Sequence, residues 1–164
     1  MGEGRWSGLV RRRNIWFATV AFGLGVIGAL AWLREPMQPL TRATLEAARQ
    51  RWRDGGIRTY QVRYQMNGSL CEIRCRDGIV EMLTVDGRPS NTADVRSYSI
   101  GGLLDLLDLE LENLHDPQGP FGERASSMMA RVRFNPQLGY PERYIRSGGM
   151  GRGASIVVIS FEAK

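Results

Sequence analysis

Residues 60–87 read YQVRYQM-NG-SLCEIRCR-DG-IVEMLTV-DG, and this run decides the fold class. Tyr60, Val62, Tyr64 and Met66 alternate with Gln61, Arg63 and Gln65, a period of two that gives a strand one apolar and one polar face. Asn67-Gly68, Asp77-Gly78 and Asp86-Gly87 each pair residues that tolerate positive φ, as tight hairpins require. Three antiparallel strands are therefore expected, at 60–66, 70–76 and 79–85.

Outward from this run the period becomes helical. On the N-terminal side Thr41 is placed to cap a helix running to about Arg53, with Leu45, Ala48 and Trp52 on one face and Gly55-Gly56 as its stop. On the C-terminal side, after a polar stretch at 88–96, Ile100, Leu103, Leu104, Leu107, Leu111 and Leu114 recur at steps of three and four behind a Ser99 cap. Three more strands are expected at 130–134, 142–147 and 154–161. The last of these, apolar on both faces through Ile156-Val157-Val158-Ile159, is expected to be central. Asn135-Pro136-Gln137-Leu138-Gly139 has proline and glycine spaced for a turn. The order α-β-β-β-α-β-β-β predicts an α+β domain with a twisted antiparallel sheet packed on helices.

A different solvent is implied near the start. Residues 15–33, IWFATVAFGLGVIGALAWL, hold 19 consecutive uncharged positions, a helix of roughly 28 Å, the thickness of a bilayer's hydrocarbon core. Trp16 and Trp32 stand near its ends, where indole favours the interface. Arg11, Arg12 and Arg13 precede it, whereas only Arg34, next to Glu35, follows. The positive-inside bias then predicts a cytoplasmic tail (1–13), a transmembrane helix (14–33), a proline-bearing linker (34–40) and an extracytoplasmic domain (41–164), in the cell's inner or plasma membrane. A cleavable signal ending near Ala31 is the competing reading, since Ala29-Leu30-Ala31 is an A-x-A sequence. Either way the same domain is exported. The small residues Ala21, Gly25 and Ala29 also have a spacing that allows close helix approach.

Charge narrows the partners. Five of the 22 basic residues lie before residue 36, so the formal +5 of the chain belongs mainly to its tail. A nucleic-acid partner is not expected, because phosphate neutralisation needs positive charge on the folded domain. The expected partners are the lipid bilayer and an envelope protein or small ligand.

Trp52, Tyr60-Gln61-Val62-Arg63-Tyr64, a nearby cysteine, Val85-Asp86-Gly87-Arg88 and the run from Phe134 through Gly139-Tyr140-Pro141 to Ile145 together resemble a bacterial domain-of-unknown-function family of exported and lipid-anchored proteins. Gly-Tyr-Pro between two strands is the most specific element, and the resemblance covers about residues 45–162. It implies an envelope location and assigns no catalytic residues. A transmembrane tether departs from the family's usual lipid-attachment cysteine or signal peptide. The glycine-rich 147–153 stretch departs from the acidic residues members carry there.

Candidate chemistry is sparse. Cys71 and Cys75 form a candidate disulfide in an exported domain, yet on one regular strand their Cα atoms would stand about 13 Å apart, beyond the ~7 Å limit, so free buried thiols or pairing between chains compete with it. The single histidine, His115, argues against zinc and makes a Ser-His-Asp triad a weaker reading than a helix terminus. Asp105, Asp108, Glu110, Glu112 and Asp116 suit a solvated helix face better than a cation site. Arg146, Gly149, Gly151 and Arg152 make a glycine loop with basic flanks, a candidate binding rim. Tyr60, Tyr64, Tyr140 and Tyr144 suit a sheet core better than a ligand groove. No cofactor and no catalytic residue is expected. The resulting expectation is a binding or structural module of the envelope, with an envelope enzyme or a subunit of a larger membrane complex as alternatives.

Overall fold

The computed structural model describes residues 36–92, 94–116, 118–148 and 153–164. The expected span at 15–33 and the basic tail lie outside these residues, as do Gly149, Gly151 and Arg152. Among the described residues no helix is long and apolar enough to cross a membrane. The chain runs β1 (Gln38–Pro39), α1 (Arg42–Asp54), β2 (Tyr60–Met66), β3 (Ser69–Arg76), β4 (Ile79–Val85), β5 (Arg88–Pro89), a 3-10 turn (Val95–Tyr98), α2 (Ile100–His115), a second 3-10 segment (Gly122–Ser127), β6 (Met129–Phe134), β7 (Pro141–Ser147) and β8 (Ala154–Ala163). It is an α+β fold.

The strands form one eight-stranded antiparallel sheet in the order β1-β6-β7-β8-β2-β3-β4-β5. The hairpin turns are responsible for its middle: Asn67 and Gly68 take φ of 52° and 92°, and the Asp77-Gly78 and Asp86-Gly87 pairs repeat that left-handed geometry. Both central residues at positive φ match the right-handed twist of the flanking strands. Asn67 and Asp86 also tie the turns to neighbours, accepting from Ser155 N and Leu70 N at 2.9 and 2.8 Å. β8 is central, between β7 and β2. A register shift opposite Arg63/Tyr64 leaves Ile159 as the extra residue of a bulge, and it is exposed.

Both helices are capped as their sequences require. The Thr41 hydroxyl accepts from Thr44 N and Thr44 returns a bond to Thr41 N, while the Ser99 hydroxyl accepts from Gly102 N at 3.1 Å. Burial then selects one sheet face. Leu45 and Ala48 of α1, with Ile100, Leu103, Leu104, Leu107 and Leu111 of α2, cover Tyr60, Val62, Tyr64, Ile73, Val132, Tyr144 and Ile156. Each such leucine contributes about 2 kcal/mol of apolar burial. An aromatic seam ties α1 to the sheet, with Trp52 edge-on to Tyr60 at 5.5 Å and Phe161 stacked on Tyr140 at 4.7 Å.

The domain begins earlier than the prolines suggest. Met37–Lys164 forms one compact unit, Gln38 and Pro39 pair with Val132 and Arg131 of β6, and Leu40 is buried. The linker expected at 34–40 thus gives up its second half to an edge strand. Proline is tolerated there because an edge needs hydrogen bonds on one side only.

Candidate functional site

The last turn of α2, β1 and the start of β6 enclose an open cleft with two lobes. One, of about 510 Å³, lies among Leu40, Arg42, Leu111, Glu112, His115 and Asp116. The other, of about 290 Å³, shares Leu40, Leu111 and His115 and adds Leu114, Met128, Met129 and Arg131. Three local features build it. The Leu40 N–H donates to Ala130 O at 2.9 Å, which pins β1 against β6. Thr41 starts α1 directly after β1, placing Arg42 over the end of α2. The leucine repeat of α2 runs past the buried core, so Leu111 is sealed while Leu114, one turn on, is half-buried at the cleft wall.

His115 lines both lobes. Its Nδ1 lies 2.7 Å from Leu111 O, and a carbonyl only accepts, so Nδ1 carries the hydrogen in this contact. The helix-terminus role expected for this residue is the one found.

The acidic face of α2 is engaged by arginines. Asp108 accepts from Arg42 and, at 2.7 Å, from Arg49, and Asp105 meets Arg49 at 3.0 Å. Glu110 lies 2.8 Å from Arg146 and accepts from the Tyr144 hydroxyl at 2.9 Å. Asp116 accepts from Gln118 N at 2.9 Å, turning the chain out of the helix. Among the described residues no group of three or more His, Cys, Asp or Glu is placed to hold a metal ion.

Of the expected rim, only Arg146 lies among the described residues. Its guanidinium pairs with Glu110 and lies 4.3 Å from the centre of the Phe121 ring, so it braces β7 against α2 and the 3-10 segment. Its three expected partners, Gly149, Gly151 and Arg152, lie outside the described residues.

Cys71 and Cys75 are both free and buried on β3. They share the inner face with Ile73 between them, as a regular strand dictates, and the local disulfide is not made. Burial pushes both thiols above their ordinary range, with the charge of Asp86 adding to Cys71. The tyrosines are core residues with matched hydroxyls: Tyr60 accepts from Ile100 N at 3.0 Å and Tyr64 donates to Tyr98 O at 2.9 Å. Burial raises the phenols of Tyr60, Tyr64 and Tyr144, helped by neighbouring Cys75, Cys71 and Glu110 respectively.

Of the cleft residues only His115, Glu112 and Asp116 carry chemistry that sequence reasoning singled out. Leu40, Met128, Met129 and Arg131 escaped it. The available signal was an apolar Leu40 beyond two prolines and a Met-Met pair at the head of a strand. No protein-family model, curated protein or solved structure matches the chain.

Proposed function

We propose that the protein is a single-pass membrane protein that displays a binding module outside the cytoplasmic membrane of a bacterial cell envelope. The observation that carries this reading is the 19-residue uncharged stretch behind Arg11-Arg12-Arg13, followed in the chain by the compact unit Met37–Lys164. Burying an all-apolar helix in a domain this small would require a partner surface on every side, whereas lipid supplies that surface directly.

Binding is favoured over catalysis because Asp105, Asp108, Glu110 and the core tyrosines already have structural partners, which leaves His115, Glu112 and Asp116 as the titratable groups at the cleft. Arg42, Arg49 and Arg146 hold Asp108, Asp105 and Glu110, and Tyr60, Tyr64 and Tyr144 are buried. What is presented to solvent instead is the two-lobed cleft, of a size usual for small-ligand sites. Washing isolated envelopes with alkaline carbonate tests the anchor. The intact chain, retaining residues 1–33 by mass, should stay in the pellet; release into the wash, or a mature form starting near Leu33, overturns the anchored reading.

A further inference from the structure

Resting on the membrane-anchored reading, we infer that the cleft at the end of α2 takes an acyl chain of an anionic phospholipid drawn from the bilayer that holds residues 15–33. Chemistry, charge and chain length converge on this occupant. The smaller lobe has aliphatic walls from Leu40, Leu111, Leu114, Met128 and Met129 and a polar border from His115 and Arg131, and unbranched methionine adapts to a flexible chain as a branched side chain cannot. Met129 is more than half exposed at the mouth, an apolar group facing solvent next to an exposed arginine.

That arginine, Arg131, has no acidic partner among the described residues. Arg133 and Arg143 stand directly opposite each other on the same outward sheet face, with Glu142 at 3.0 Å from Arg133. Arg131 is the arginine of this face that lines the smaller lobe, and a phosphate there would gain a charge-assisted hydrogen bond from it. Glu112 and Asp116 lie in the other lobe beside Arg42, so the headgroup is assigned to the Arg131 side. Chain length completes the argument: Gln38 is five residues beyond Leu33, at most about 18 Å when fully extended. The bilayer surface is therefore within reach of the edge strand that forms the cleft wall.

The test uses the full-length chain reconstituted in vesicles of phosphatidylcholine and phosphatidylglycerol that contain a phospholipid with a photoactivatable acyl group. After illumination, peptides carrying Leu114 and residues 128–130 should be labelled along with residues 15–33. Met129→Asp should lower the cleft label about tenfold, since an aspartate opposes contact with hydrocarbon, without changing the label in 15–33. Arg131→Glu, or vesicles of phosphatidylcholine alone, should lower it about fivefold. Labelling confined to 15–33, or cleft labelling indifferent to both variants, overturns the lipid site and leaves the anchor standing. Labelling in neither region overturns both.

Discussion

At the start of α2, three polar groups are matched across the core: Tyr60 takes the Ile100 N–H, Ser99 takes that of Gly102, and Tyr64 donates to the carbonyl of Tyr98. At its end, one helix length away, Leu114 and His115 border open space, and Met129 faces solvent across it. The same leucine repeat supplies both ends. What differs is the inner face: β2 and the first 3-10 turn lock the first through Tyr60 and Tyr64, while Arg42 at the head of α1, the two-residue β1 and the second 3-10 segment border open space at the second. The outer side of the first end is also open, in a pocket of about 490 Å³ among Arg96, Gly102, Asp105, Leu106 and Leu109, so the two ends differ in how their inner faces are packed.

The sharpest way to break that comparison is to truncate both ends. Leu103→Ala, in the sealed part, should destabilise by about 3 kcal/mol, whereas Leu114→Ala should cost about 1 kcal/mol or less; urea unfolding of the two variants measures the contrast. Equal losses would erase the distinction. Glu110→Gln lies between the ends and removes the charge that Arg146 and Tyr144 share, so a loss of about 2 kcal/mol is expected in the same assay.

Alkali should probe the matched end selectively. The buried phenols of Tyr60, Tyr64 and Tyr144 and the thiols of Cys71 and Cys75 all have folded values raised above their unfolded ones. The neutral forms are favoured by the fold, so this stability is fully present below the unfolded values. It is lost as pH climbs through about 8.5 for the thiols and about 10 for the phenols, by up to about 1.4 kcal/mol per pH unit for each group. Urea midpoints that stay flat from pH 8 to 11 would contradict the burial of these groups. The smallest effect is forecast for Met129→Asp, within about 0.5 kcal/mol of the parent, because it already faces solvent.

Much of the fold was legible because it is written locally. The bounds of β2 and β4 follow from alternation closed by Asn-Gly and Asp-Gly turns, and both helix starts follow from Thr41 and Ser99. β1 and β5 were not legible, since two residues carry no period and exist as strands only through their neighbours. The site was less visible still. Arg146 and Glu110 are 36 positions apart and no spacing rule joins them, so the half-buried carboxylate that pairs with this arginine could not be read from the sequence. The cleft arises where three separate segments stop short of one another, which no single stretch records.

The claim on which the functional account turns is that the domain stands outside the cytoplasmic membrane, and the buried thiols make it directly measurable. Because Cys71 and Cys75 are shielded, the parent chain should be nearly blank to a membrane-impermeant maleimide. Gln137→Cys, at an exposed turn, should label fully in intact spheroplasts, and Ser7→Cys should label only after permeabilisation. Protection of Gln137→Cys in intact cells, with labelling once the membrane is opened, would contradict the account.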